Sequence, residues 1–272
     1  MGPADEALWD VALPASPGRP PGVTMAGFSD RGRTPPGLRL IPPPAVTLAL
    51  MFGPGTLELS DGAARGSVVA GLGFGTTRVR QAADFACVQV RLPPVVAGAV
   101  LGVRPAELGG AFVALDDLWG REAARLAERL SETPSWEERF AVTDAVLARR
   151  AEAGPAADPE VAWAWSRLVR TRGLVRVERL ADEVGWSRKR LWSRFRARIG
   201  LPPKRAARLV RFDHAVHRLV AGVEAARVAA DAGYADQSHL HREVRAFTGI
   251  TPTAVAGEPF LTIDDVAWPS SR

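Results

Sequence analysis

Cysteine is nearly absent from this 272-residue chain, and its scarcity removes several functions at once. Cys87 stands alone, so there is no intrachain disulfide framework and no cysteine-based zinc site. Inside FACVQV it reads as a buried strand residue. Histidine is confined to His214, His217, His239 and His241, and residues 1–159 contain none. A serine-hydrolase triad needs an imidazole, and so does a cupin-like metal centre. The first half of the chain therefore offers neither, and no catalytic residue, metal ligand or cofactor is assigned. Lysine is scarce too: Lys189 and Lys204 are the only two, so positive charge is carried by arginine. No apolar run approaches the roughly 18 residues of a membrane span. The acidic start, MGPADEALWD, lacks the apolar centre of a signal peptide. A cytoplasmic protein with no membrane partner is expected.

What is present is globular: 47% hydrophobic and 24% charged residues, in a length that suggests two domains. The charge is unevenly spread. Residues 160–256 hold 19 Lys+Arg against 9 Asp+Glu, a surplus of 10. Residues 1–159 hold 15 against 18, a deficit of 3. Such asymmetry points to a polyanionic partner for the C-terminal part.

Along the chain, residues 1–40 are rich in Pro and Gly (ASPGRPPG, RGRTPPG) and read as a flexible arm. From Ala45 to Leu92 the pattern is that of strands: AVTLALMF, TLELS, GSVVAGLGFG and ADFACVQVRL. An antiparallel sheet is expected, as an incomplete barrel or sandwich. Gly71, Gly73 and Gly75 form GxGxG, but the spacing is not GxGxxG and no helix follows, so they read as strand glycines at a bend. Arg91 reads as a residue that closes the last strand. Amphipathic helices follow at PPVVAGAVLGV, at LDDLWGREAARLAERL and at SWEERFAVTDAVLARR, the last with Ser135 as cap and Glu138 three residues on. They cover the sheet or pair with a second subunit, so residues 41–152 form a regulatory, effector-binding or dimerisation domain. AEAGPAADP is the linker, and Asp158-Pro159 starts the next helix as cap and first-turn proline. That helix is expected to turn Val161, Trp165, Leu168 and Val169 inward. The tail, 257–272, shows no pattern. The fold class is therefore α+β: an N-terminal antiparallel β domain with covering helices, then an all-α domain.

The all-α domain is organised by a repeat. LADEVGWSRKRLWSRFRARIGLPP (Leu180 to Pro203) is matched by VAADAGYADQSHLHREVRAFTGITP (Val228 to Pro252). Each copy has an apolar–Ala pair, a glycine four residues after the Ala, an aromatic, a polar helix and a closing Gly-x-x-Pro. The offset is 48 at Ala181 and Ala229 and 49 at Gly200 and Gly249. A fixed offset marks a repeated unit, here helix–turn–helix. Ala181 and Ala229 let two helices meet. Gly185 and Gly233 suit the positive φ of the turn. Leu191, Phe195 and Ile199, and then Leu240, Val244 and Phe247, supply the buried stripes.

On these residues the region 160–256 resembles the DNA-binding domain of AraC/XylS-type transcription regulators. The closest likeness lies in GWSRKRLWSRF, LVRFDHA, GYADQSHLHREV and GITP. The resemblance implies a bipartite domain that places two recognition helices in successive major-groove segments of double-stranded DNA. It also implies base-facing positions at Lys189, Trp192 and Ser193. The family often has Arg where Ser193 stands and an apolar residue where Arg194 stands. In the second copy, burial of the stripe turns Gln237, Ser238, His241 and Arg242 outward, where Gln suits adenine and Arg suits guanine. Arg188, Arg190, Arg196, Lys204, Arg205 and Arg245 are candidates for phosphate. The histidines lie on separate elements with no cysteine beside them, so structural or phosphate-contacting roles are preferred to a metal. Val244 and Leu240 stand where aromatics are common, which predicts a looser second unit. Arg176 stands where a Ser-like cap is usual.

The reading is a sequence-specific transcription regulator, with an N-terminal domain that senses an effector or self-associates. Its partners would be DNA, a small-molecule effector, RNA polymerase and a second copy of the chain. The competing readings are an architectural DNA-binding protein with little sequence preference, and an N-terminal enzyme fused to a DNA-binding domain. The lack of histidine weighs against the last.

Overall fold

The computed structural model describes residues 8–16, 18–32, 34–60, 66–73, 75–110 and 112–268. The N-terminal part contains β1 (Trp9–Ala12), β2 (Thr24–Asp30), β3 (Arg39–Leu40), β4 (Val46–Phe52), β5 (Thr56–Leu59), β6 (Val68–Ala70), β7 (Thr77–Ala83) and β8 (Ala86–Leu92). Then come α1 (Pro94–Leu101), α2 (Pro105–Leu108), β9 (Phe112–Ala114), α3 (Leu115–Trp119), α4 (Arg121–Glu132) and α5 (Trp136–Ala153). All strand pairs are antiparallel, in a six-stranded sheet of order β1-β2-β8-β4-β6-β9 and a three-stranded sheet of order β3-β7-β5.

The period of two in each strand divides the six-stranded sheet into two faces. Leu48, Leu50, Val88 and Val90 are buried on the face beneath α4 and α5. The opposite face carries Phe28 across from Cys87, Thr47 across from Ala70, and Ala49 across from both Val68 and Gln89. It looks toward the three-stranded sheet, in the sandwich arrangement. Ser135 caps α5 by accepting from the Glu138 N–H at 3.3 Å. Gly120, at φ 55°, breaks the LDDLWGREAARLAERL pattern into α3 and α4.

The N-terminal 40 residues are not a flexible arm over their described length. Trp9, Val23, Met25, Ala26, Phe28 and Leu38 are buried, and β2 lies inside the six-stranded sheet, paired with both β1 and β8. Strand β2 is hard to see because Gly27 interrupts it. That glycine is required: a Cβ there would overlap the ring of Trp136, which lies flat on the strand. Strand β7 is likewise unannounced in sequence, since Arg78 and Arg80 face solvent and only Thr77 and Val79 turn inward.

The C-terminal part is helical: α6 (Pro159–Arg170), α7 (Val177–Glu183), α8 (Arg188–Ile199), α9 (Pro203–Val220), α10 (Ala225–Asp231), α11 (Gln237–Thr248), α12 (Pro252–Ala256) and α13 (Pro259–Ala267). Asp158 caps α6 through the Val161 N–H, with Pro159 in the first turn. Val161, Trp165 and Leu168 are buried as their spacing predicts, whereas Val169 is exposed and Ala164 takes the inward position. The linker is tight. A Cβ at Gly154 would meet the Ala99 backbone of α1.

The tail is a helix that returns to the N-terminal domain. Helix α13 packs on β1 and on α9. Its Phe260, Leu261, Ile263 and Ala267 are buried, and Asp264 between them is also buried. A carboxylate within the apolar stripe hides the helical pattern in the sequence. Arg91 pairs with Asp264 and lies 4.3 Å from the centre of the Trp268 ring, so it clamps the tail as well as ending β8. His217 of α9 completes the cluster. Its Nδ1 lies 2.8 Å from Asp265, and its Nε2 lies 3.4 Å from Asp264 and 3.6 Å from Asp213.

Burial alone would lower the His217 pKa, but the three carboxylates outweigh it and raise the ring to about 9. Burial also pushes the Asp264 carboxyl up, against the pull of Arg91 and His217. His214, one position back from the turn that carries His217, is shifted down by burial and by Arg172 and Arg218. A histidine in an unfolded chain titrates near ~6.5. The folded state thus holds the His217 proton more tightly. Its stabilisation is fully present below pH ~6.5 and is lost as pH rises through about 9. Melting temperature should fall across this window in the unmodified chain, and fall less steeply in His217→Gln. Equal slopes would remove His217 from the clamp.

Candidate nucleic-acid interface and the N-terminal cavity

The two helix–turn–helix units have matching turns. In the first, α7 ends at the turn around Gly185 (φ 68°), and the Trp186 N–H donates to the Ala181 carbonyl at 2.9 Å. In the second, α10 ends around Gly233 (φ 69°), and the Tyr234 N–H donates to the Ala229 carbonyl at 2.9 Å. Ser187 then caps α8 through the Arg190 N–H, and Asp236 caps α11 through the His239 N–H. Gly200 and Gly249 end the two helices in the left-handed conformation. Arg176, at the start of α7, makes no side-chain cap.

The predicted stripes are the ones buried: Leu191, Phe195 and Ile199 in α8, and Leu240, Val244 and Phe247 in α11. Helix α9 joins the units. At a rise of 1.5 Å per residue its 18 residues span about 27 Å. Its Ala207, Val210, Ala215, Val216 and Leu219 are buried between them.

All the proposed base-facing residues are exposed: Lys189, Trp192 and Ser193 on α8, and Gln237, Ser238, His241 and Arg242 on α11. So are Arg188, Arg190, Arg196, Lys204, Arg205 and Arg245. Trp192 is 46% exposed, with the Arg196 guanidinium 5.2 Å from its ring centre. The Arg190 guanidinium lies 4.7 Å from the Trp186 ring centre, which pins its stem while leaving the charge accessible. Helices α1 and α2 of the N-terminal domain pack on α8, with Gly200 set close to Pro105.

Sequence reasoning missed the residue that secures the second unit. Glu243 lies on α11 and is 3% exposed. It accepts from Arg208 at 2.9 Å, from Arg211 at 2.9 Å and from the Tyr234 hydroxyl at 3.1 Å. Both arginines belong to α9, so the turn, the recognition helix and the joining helix meet at one carboxylate. Phe212 of α9 stacks on Phe247, ring centres 4.3 Å apart. The second unit therefore gains in polar anchoring what it lacks in aromatic residues at 240 and 244. The available signal was HREV, a charged residue one step from a buried position, opposite Arg208 and Arg211, which bracket the first two residues of the LVRF motif.

A cavity of about 200 Å³ lies between the two sheets of the N-terminal domain. The glycine-rich segment belongs to its wall. Gly71 runs so close to Gly109 that a Cβ would overlap its carbonyl, and Gly73 lies against Gly110. These glycines lie past the end of β6, where the chain bends at Leu72 and Gly75, and they allow backbones to approach. Cys87 also faces the cavity; burial pushes its thiol up to about 12, which keeps it protonated and unreactive. Among the described residues no group of three or more His, Cys, Asp or Glu is placed to hold a metal, and no helix is long and apolar enough to cross a membrane.

Removing Glu243 leaves two guanidinium groups and a phenol without their shared partner. Breaking a buried pair in this way costs about 3–5 kcal/mol. Glu243→Ala should lower stability by that order in a denaturant titration, with Glu243→Gln intermediate. A loss below about 1 kcal/mol would mean that water satisfies the cluster.

Comparison with known proteins agrees with this geometry. Residues 180–257 match the family model described as a helix-turn-helix domain. No curated protein matches the chain. Among solved structures, an apo lysine-to-alanine variant of ToxT from Vibrio cholerae is similar over 91% of this chain and 99% of its own, at 10% identity and a TM-score of 0.49. ToxT of the same organism bound to an unsaturated fatty acid is similar over 87% and 95%, at 8% identity and a TM-score of 0.44. The AraC-like transcriptional activator CuxR covers 69% of this chain and 80% of its own, at 16% identity and a TM-score of 0.27. Two turns of one geometry, two exposed recognition helices and the family match lead to one conclusion: residues 180–257 are a helix-turn-helix domain.

Proposed function

We propose that the chain is a sequence-specific transcription regulator that reads promoter DNA with α8 and α11 and answers to a small molecule bound in its N-terminal domain. The observation that carries the DNA reading is the pair of matched turns on one joining helix, each presenting a capped recognition helix whose outer face is exposed. Successive major-groove segments on one face of B-DNA lie about 34 Å apart. Two readers held at the ends of a helix of about 27 Å suit that spacing. One chain then reads an asymmetric site without a symmetric partner.

The two readers differ. Helix α8 presents Arg188, Lys189, Arg190, Arg194 and Arg196 around Trp192, a surface rich in phosphate-binding charge. Helix α11 presents Gln237, Ser238, His241 and Arg242, whose donors and acceptors suit base edges. Affinity is thus weighted to the first unit and base discrimination to the second. The effector role rests on the cavity between the sheets, which has the concave, mainly apolar character of a ligand site.

Footprinting at the strongest genomic site should show protection over two adjacent groove segments. Competition by random duplex at physiological salt should fail by a factor of roughly a thousand or more. Equal affinity for random and selected DNA would establish the architectural reading instead. Arg242→Ala should cost roughly 1–3 kcal/mol and relax preference at one base pair of the α11 half. A uniform loss across sequences would reassign Arg242 to the phosphates.

A further inference from the structure

The cavity's chemistry defines what it accepts. Its described lining comes from both sheets and includes Phe28, Ala49, Leu57, Phe85 and Phe112, with no charged side chain among the described residues. Two arginines flank it on adjoining strands, and each is held by a carboxylate, with Arg91 Nε left without a hydrogen-bond partner. Arg39 of β3 pairs with Glu258 at 3.0 Å, and Arg91 of β8 pairs with Asp264. Both carboxylates belong to the C-terminal segment. The same segment sends Phe260 into the cavity wall, where its ring centre lies 6.5 Å from that of Trp9. Thr47 belongs to the wall, but its Oγ1 is sealed from the cavity and makes no hydrogen bond. Gln89 lines the cavity on the neighbouring strand. Its side-chain amide offers a donor and an acceptor to a bound polar atom.

We propose that this cavity is a site for an uncharged, largely apolar small molecule with a single hydroxyl or carbonyl group, received by Gln89, and that α13 closes it through Phe260. An engineered dry cavity of about 150 Å³ holds benzene. A cavity of about 200 Å³ suits one substituted ring or a short branched chain. An anion would meet no free cation in the described lining. Arg39 and Arg91 lie outside that lining, and an anion would compete there with Glu258 and Asp264. The site also has a route to the DNA-reading part. Phe260 sits on the helix whose Asp264 and Asp265 hold His217 of α9, and Thr76 of the cavity wall donates to the Thr248 carbonyl at the end of α11 at 3.5 Å.

This inference rests on the effector half of the proposed function and not on the DNA half, and the two are tested separately. Calorimetric titration of the full chain with 4-propylphenol and with 4-propylbenzoate compares a neutral and an anionic ligand of one shape. The phenol should bind at least tenfold more tightly. Gln89→Leu, which keeps much of the bulk and removes the amide, should weaken the phenol several-fold, and Ala49→Phe, which fills the space, should abolish binding. Hydrogen exchange in residues 259–267 should slow when the phenol binds. Tighter binding of the benzoate, no binding of either compound at millimolar concentration, or unchanged binding in both variants would overturn the assignment. Phenol binding without slower exchange in 259–267 would overturn the closure by α13. Footprinting of the ligand-free chain on its genomic site is run in parallel. Failure there with phenol binding intact would sink the DNA reading and leave the cavity assignment standing.

Discussion

Every functional element of the C-terminal half is positioned by the burial of α9. Ala206, Leu209, Phe212, Ala215 and Val216 are fully enclosed, and they face both helix–turn–helix units and the tail. A helix packed on several sides cannot rotate or slide without opening voids, and protein interiors are packed as densely as organic crystals. The distance and angle between the two recognition helices are therefore set by this core and not by a flexible linker. Polar contacts refine the arrangement: Arg208 and Arg211 hold the second unit through Glu243, and His217 holds the tail. A rigid spacer converts two weak readers into one composite reader, because ordering the second costs little once the first is seated.

The C-terminal fold was legible because its determinants are local. Gly185 and Gly233 serve a positive φ, Ala181 and Ala229 a close approach, and Ser187 and Asp236 a cap, and each is visible within a few residues of the helix it shapes. The N-terminal fold was less legible because its determinants are distant. Gly27 is explained only by Trp136, more than a hundred residues later, and Gly71 only by Gly109. Arg91 reads as a strand end until Asp264 is seen beside it. Strand β7 sets Val79 between two arginines, and its pairing with β3 and β5 is what places it in a sheet. Glu243 escaped for a related reason: a carboxylate on a buried face counts against a helix until the arginines across from it are in view.

The repeat is symmetric in its backbone and asymmetric in what stabilises it. The first unit is sealed by aromatic and aliphatic packing, with Phe195 against Trp165 at 6.5 Å between ring centres. The second uses a stacked pair, Phe212 and Phe247, together with an ionic cluster. Apolar packing has little directional preference, whereas a carboxylate bound to two guanidinium groups and a phenol accepts one geometry. The unit whose outer face is better suited to base edges is thus the one whose orientation is most narrowly specified.

Helix α13 has a consequence for how the molecule is made. Trp9 meets Phe260, and Arg91 meets Asp264, so the N-terminal sheet is completed by residues near the far end of the chain. Translation at about 5–20 residues per second separates these partners by roughly ten seconds or more. During that interval Arg91 and the cavity mouth face solvent on the nascent chain. Helix α13 then acts as a latch, and the completed N-terminal domain is itself evidence that the helices between it and α13 have been synthesised.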